Sequence, residues 1–94
     1  MSALFHNYAR RPIAIEKGQG TIVFDTNGKR YLDFTSGIAV CSLGHANPLI
    51  VNAIQEQSQK LWHISNLFES PGQEKLAETL VEGSHLSHAF FCNS

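Results

Sequence analysis

Five histidines, two cysteines and eight acidic side chains are the groups in this 94-residue sequence that could carry chemistry. His85, His88 and Cys92 are spaced as metal ligands can be, but a trio without a fourth ligand does not make a closed tetrahedral site. No metal is expected. His45 lies between Gly44 and a helix start; as a general base it would need a nucleophile and an acid partner, and its neighbours in sequence supply neither. A local hydrogen-bonding role is expected for it. Asp25 and Asp33 flank a turn and could face each other, yet paired-carboxylate chemistry needs a cleft that a hairpin surface rarely offers. Lys29 or Arg30 is expected to neutralise them. Cys41 and Cys92 are too few and too far apart for a disulfide framework and read as small apolar residues.

The elements that must position these groups begin with a hairpin. Ile22 and Phe24 alternate with Val23 and Asp25, Tyr31 and Asp33 alternate with Leu32 and Phe34, and Asn27-Gly28 between them is a strong hairpin signal. Ile13 and Ile15 add a strand, which predicts a three-stranded antiparallel sheet. Residues 35–40, Thr-Ser-Gly-Ile-Ala-Val, are too apolar for a loop facing water, so a cover is expected. Asn47 as N-cap and Pro48 at the first helical position open an amphipathic helix that carries Ile50, Ala53, Ile54, Gln57 and Leu61. Residues 62–68, Trp-His-Ile-Ser-Asn-Leu-Phe, form a second apolar loop, with Trp62, Leu67 and Phe68 expected to be buried within a subunit or across an interface. Ser70-Pro71-Gly72-Gln73 reads as a capping-box start to a second helix closed by Gly83. A strand is expected at about 88–92.

Seven Lys and Arg against eight Asp and Glu leave the sequence near neutral. The basic residues are scattered, without the stripe that tracks a phosphate backbone, so nucleic acid is not an expected partner. The opening residues lack a basic region followed by a long apolar stretch, and no run reaches membrane-spanning length. A cytoplasmic location without a membrane partner is the expectation. A buried-looking strand at residues 88–92 needs neighbours that 94 residues do not supply, which points to a fragment of a larger protein.

Asp25, Asn27-Gly28-Lys29, Tyr31-Leu32-Asp33-Phe34, Ser36-Gly37-Ile38-Ala39-Val40, Leu43-Gly44-His45 and Pro48 stand in an order that resembles the amino-terminal segment of the class III pyridoxal-phosphate aminotransferases. The strings at 62–68 and 90–94 are similar to the acetylornithine branch of that family. One departure is His45-Ala46-Asn47-Pro48, where the family usually has His-x-His-Pro; asparagine caps a helix as well as histidine does.

The resemblance implies an α/β fold, namely the amino-terminal portion of a fold type I subunit. This comprises the small three-stranded antiparallel sheet plus helix, then a helix and the first strand of the large domain. Residues 1–69 would belong to the small domain and 70–94 to the start of the large, cofactor-binding domain. It further implies a homodimer that moves an amino group from N2-acetylornithine to 2-oxoglutarate in arginine biosynthesis, with pyridoxal phosphate on a lysine far downstream. Lys17, Lys29, Lys60 and Lys75 do not match the context of that lysine, so no catalytic residue is assigned and the 94 residues alone are expected to be inactive.

By the same resemblance Ile38 faces substrate, with Gly37, Ala39 and Val40 shaping the wall, and Ser65 and Asn66 contribute to the substrate-binding active site at the dimer interface. Ser94 would stand at the edge of the cofactor phosphate, beside a helix start whose free N–H groups favour an anion. The residues by themselves leave alternatives open: core packing for Ile38, a turn for Ser65 and Asn66, a strand end for Ser94. A noncatalytic dimerisation or binding module is the alternative function, as are the ornithine, succinylornithine and 4-aminobutyrate branches.

Overall fold

A computed structural model describes residues 2–93 of the chain. The three strands form as the alternation predicts: β1 (Ile15–Gln19), β2 (Ile22–Asp25) and β3 (Arg30–Leu32), antiparallel in the order β1-β2-β3. Gln19 pairs with Ile22, and Ile22 pairs in turn with Leu32; a bulge interrupts β1 between Ile15 and Lys17. The β2-β3 turn differs from a tight two-residue loop, because Gly28 takes φ +82° while Asn27 is not in the left-handed region. Asp25 closes this turn. Its Oδ1 accepts from the Asn27 and Lys29 amides, both at 2.9 Å, while its backbone carbonyl accepts from Gly28 at 2.9 Å.

Beyond β3 comes a single turn, α1 (Ser36–Ala39), and then two ordinary helices, α2 (Pro48–Ser58) and α3 (Pro71–Glu82). Asn47 caps α2 as expected, its Oδ1 accepting from the Leu49 amide at 3.0 Å. α2 stops at Ser58, short of Leu61, where the Trp62 indole N–H donates to the Ser58 carbonyl and the Gln57 side chain donates to the Leu61 carbonyl. Those bonds satisfy carbonyls that a longer helix would have used itself. α3 begins with Pro71 at its first position and is capped by Gly83, but Ser70 makes no side-chain cap bond, so the capping box is not formed.

The chain divides into two compact units, Met1–Glu56 and Gln57–Ser94. Among the described residues of the first, Val23 and Asp25 are buried, both on the middle strand of the sheet. Trp62 is 87% exposed and Leu67 86%, so the burial expected of them is not provided by this chain. Residues 88–93 carry no strand pairing. A strand is defined by its ladder, and no described residue offers these a partner edge.

Candidate functional site

Strand β3 delivers Asp33 to the mouth of the apolar segment, with the Asp33 amide donating to the Thr21 carbonyl at 2.8 Å. One carboxylate oxygen, Oδ1, accepts three hydrogen bonds from the next residues along the chain: the Thr35 amide at 3.1 Å, the Thr35 hydroxyl at 2.9 Å and the Ser36 amide at 2.9 Å. The other, Oδ2, lies 2.6 Å from His45 Nε2. A carboxylate can only accept, so Nε2 carries the proton of that bond whether the ring is neutral or cationic. Together the His45 ring, the Ser36 amide and the Thr35 hydroxyl hold the Asp33 pKa down at about 2.

His45 is itself fixed from two sides. Its backbone exchanges a pair of 2.9 Å hydrogen bonds with Gly20, and its ring lies so close to Gly18 that a Cβ there would fall 2.7 Å from His45 Cγ. Gly44 holds φ +81°, and a Cβ on it would stand 3.1 Å from the Gly20 backbone. These glycines let the loop carrying His45 close onto the end of β1. The expected local role for His45 is therefore corrected, since its partner is an acid twelve residues earlier in the chain.

Asp25 and Asp33 make no hydrogen bonds to a common group, in keeping with the reading that a hairpin surface does not set up paired-carboxylate chemistry. The two carboxylates serve opposite ends of the hairpin. Asp25 is bound by the Lys29 amide, the Tyr31 hydroxyl at 3.0 Å and the Asn27 amide, which lower its pKa, and the Lys29 charge adds to the same effect. Desolvation and the bond to Asp25 push the Tyr31 hydroxyl up. Arg30 is not needed to neutralise either group.

Asp33 grips an unusual piece of backbone. Ser36, Gly37, Ile38 and Ala39 all have φ between +53° and +63°, so α1 is a left-handed turn. Within it Ile38 and Ala39 donate to the Thr35 carbonyl, and Val40 and Cys41 to the Ser36 carbonyl. Three of its four residues are not glycine, and each such residue costs roughly 1–2 kcal/mol in this conformation. The result is to present Ile38 outward at 92% exposure, with Val40 also exposed. Strain of this kind is retained where the surroundings over-determine it, commonly at ligand-facing sites.

Gly37, Ile38 and Ala39 lie on this turn and Val40 caps it, all in the first compact unit. Ser65 and Asn66 belong to the second unit, where the Ser65 hydroxyl and carbonyl accept from the Leu67 and Phe68 amides in a local turn. Ser94 lies outside the described residues. Among the described residues no three metal-ligating side chains gather, and Cys41 and Cys92 are free thiols. Lys17 and Lys29 are engaged on the sheet, their ammonium groups 5.6 Å and 5.3 Å from the Phe24 and Tyr31 ring centres. Sequence reading missed the Asp33–His45 pair and the hand of the turn. The run Gly18, Gly20 and Gly44 was the available signal for a close backbone crossing, and Asp33 two residues ahead of Thr35 was the signal for a side-chain-closed turn.

The fold of the chain has counterparts in one enzyme family. The family model for class-III aminotransferases matches residues 4–94, and the chain belongs to that family. The chain is 54% identical over 94 residues to acetylornithine aminotransferase of Bacillus anthracis, covering all of this chain and 24% of the relative. To the corresponding enzyme of Agrobacterium fabrum it is 53% identical, covering 97% of this chain and 23% of the relative. The crystal structure of N-acetylornithine aminotransferase from Stenotrophomonas maltophilia K279a superimposes with a TM-score of 0.84 at 46% identity, over 93% of this chain and 24% of that one. Ornithine δ-aminotransferase of Plasmodium falciparum gives the same TM-score at 31% identity, over 89% and 22%. The chain thus spans about a quarter of the length of these relatives, on their amino-terminal part.

Proposed function

We propose that this chain is the amino-terminal segment of an aminotransferase that moves an amino group from N2-acetylornithine to 2-oxoglutarate in arginine biosynthesis. The observation that carries the reading is the identity, 53–54% over nearly the whole chain, to relatives named acetylornithine aminotransferase. In this reading the protein is a cytoplasmic homodimer, residues 1–69 belong to the small domain and residues 70–94 open the large one.

Pyridoxal phosphate, when bound, supplies the electron sink for amino transfer, while the protein positions and tunes it. Of the residues in this chain, Ser94 would stand at the edge of its phosphate; the lysine that holds it lies elsewhere in the subunit. The contribution of the described residues is to the amino donor. Ile38, backed by Gly37, Ala39 and Val40, forms an apolar wall; Ser65 and Asn66, in the loop between α2 and α3, would serve the active site at the dimer interface. The apolar wall excludes water from the reacting end of the donor, and its exposure in the chain alone reflects a face that substrate and neighbouring chain would cover.

The test is steady-state kinetics on the full subunit that carries this sequence, with 2-oxoglutarate as acceptor and glutamate as the measured product. N2-acetylornithine is expected to give a kcat/KM at least tenfold above ornithine, succinylornithine and 4-aminobutyrate. A different donor ranking first would overturn the substrate assignment. Absence of transfer with all four would leave the noncatalytic module. The 94 residues alone are expected to show no turnover.

A further inference from the structure

We propose that Asp33 is a positioning residue that determines donor selectivity: its carboxylate, anchored by His45, fixes the left-handed turn Ser36–Ala39 and so sets where Ile38 stands. The selectivity half of this rests on the reading of that turn as the donor wall; the positioning half does not.

A left-handed turn in which Ser36, Ile38 and Ala39 are not glycine is disfavoured by its own sterics, so something outside it must hold it. The bonds within the turn all fall on two carbonyls, those of Thr35 and Ser36. Asp33 grips the same two residues by their amides and by the Thr35 hydroxyl, at 2.9–3.1 Å, which sets the direction in which the chain enters the turn. The carboxylate is in turn prevented from rotating by His45 at 2.6 Å. His45 cannot easily move with a displaced Asp33, because its backbone is bridged to Gly20 and its ring rests on Gly18. The side chain of Asp33 is 11% exposed, so water does not readily replace these partners. A chain of fixed contacts therefore runs from the sheet, through His45 and Asp33, to the backbone that carries Ile38.

The test uses the full subunit and two readouts. In Asp33→Ala, backbone hydrogen exchange of the amides of Ile38, Ala39, Val40 and Cys41 is expected to accelerate at least tenfold, while amides paired between β2 and β3 keep their protection. Unchanged exchange in the turn would overturn the proposal irrespective of activity. In kinetics, the same variant is expected to raise the KM for the amino donor about tenfold with kcat within about twofold, and to narrow the preference for N2-acetylornithine over ornithine. Asp33→Asn, which keeps Oδ1 as acceptor and can donate to an unprotonated His45 Nε2, is expected to restore both readouts to within about threefold of wild type. The double variant with Ile38→Ala is expected to lose little more than Ile38→Ala alone, as coupled residues do. Additive losses, or a fall in kcat with KM unmoved, would mean that Asp33 supports the fold and not the wall. Should Asp33→Ala fail to fold, His45→Phe keeps a ring against Gly18 and removes the Nε2 contact. It is expected to accelerate exchange in the turn about threefold, and no acceleration would again overturn the proposal. Transfer absent in the wild-type subunit would sink the donor reading, whereas the exchange result stands or falls by itself.

Discussion

His45 Nε2 stands 2.6 Å from Asp33 Oδ2, and the contact joins the far end of the apolar loop to the end of β3. It turns a stretch of small, apolar residues into a closed loop with defined ends. Its charge gives the first prediction. Asp33 titrates at about 2 in the folded chain because the His45 ring and the Ser36 and Thr35 donors favour its anion. An unpaired aspartate titrates at about 3.9. A lowered carboxylate pKa contributes stability that is fully present above the unfolded value and is lost as pH falls through the folded one. The loop is expected to loosen between about pH 4 and pH 2, with the Ser36 amide resonance tracking the Asp33 titration. Asp33→Asn should remove that component. A Ser36 shift that persists in Asp33→Asn would assign the transition to another group, of which Asp25 is the candidate.

Gly44 and Gly72 make a contrasting pair. Alanine at Gly44 would place its Cβ 3.1 Å from Gly20 backbone atoms at φ +81°, whereas a Cβ on Gly72 meets nothing within 4 Å. Gly44→Ala is expected to cost about 1–2 kcal/mol from the left-handed conformation alone, more where the Gly20 crossing cannot give. Gly72→Ala, in the first turn of α3, should be neutral or stabilise by up to about 1 kcal/mol through the unfolded state. Denaturant midpoints of the full subunit separate the two, and equal effects would contradict the crossing.

What could be read from the residues, and what could not, divides along the range of the interactions. The sheet, both long helices, the Asn47 cap and the Gly83 stop were legible because alternation, helical spacing and capping chemistry act over a few residues. The family was legible because several short strings occur in order. The Asp33–His45 pair was not, because it depends on the loop folding back onto Gly18 and Gly20. The left-handed turn was missed for a related reason. Local preference favours right-handed backbone at Ile38 and Ala39, and the grip of Asp33 on Thr35 and Ser36 comes from outside the turn. The strand expected at 88–92 has the right composition, but pairing is a property of two strands, and the second is not among the described residues.

Asn47 supplies a third prediction. Its Oδ1 takes the Leu49 amide at 3.0 Å, and its carbonyl takes the Val51 amide at 2.9 Å. Asn47→Ala keeps the second and loses the first, at about 1 kcal/mol. Asn47→Asp is expected to restore the loss, since a carboxylate also favours a helix start. Failure of aspartate to rescue would show that the amide N–H near the Leu43 carbonyl, at 3.5 Å, matters more than the cap.

The isolated 94 residues carry a fourth. Phe34, Ile38, Trp62, Leu67 and Phe90 are each more than 85% exposed. Apolar area left open on this scale drives association. The chain alone is expected to bind a hydrophobic dye strongly and to aggregate or unfold without a sharp transition. Cooperative unfolding of a soluble monomer would contradict the exposure and require these side chains to find cover within the chain.

Ile38 provides the sharpest separation of a binding role from a packing role. Glycine at this position relieves about 1–2 kcal/mol of left-handed strain and returns roughly 0.5–1 kcal/mol as unfolded-state entropy. Ile38→Gly should therefore leave the full subunit equally stable or more stable by up to about 1 kcal/mol, because a side chain that faces substrate has little core contact to lose. Its cost should fall on the donor, with KM raised and acceptor kinetics less affected. A core residue behaves in the opposite sense, since deleting a packed isoleucine side chain costs about 2–5 kcal/mol. Denaturant midpoint and donor KM measured on the same preparation decide between them. A large loss of stability with KM unchanged would assign Ile38 to the packing of the assembled subunit and remove it from the donor wall.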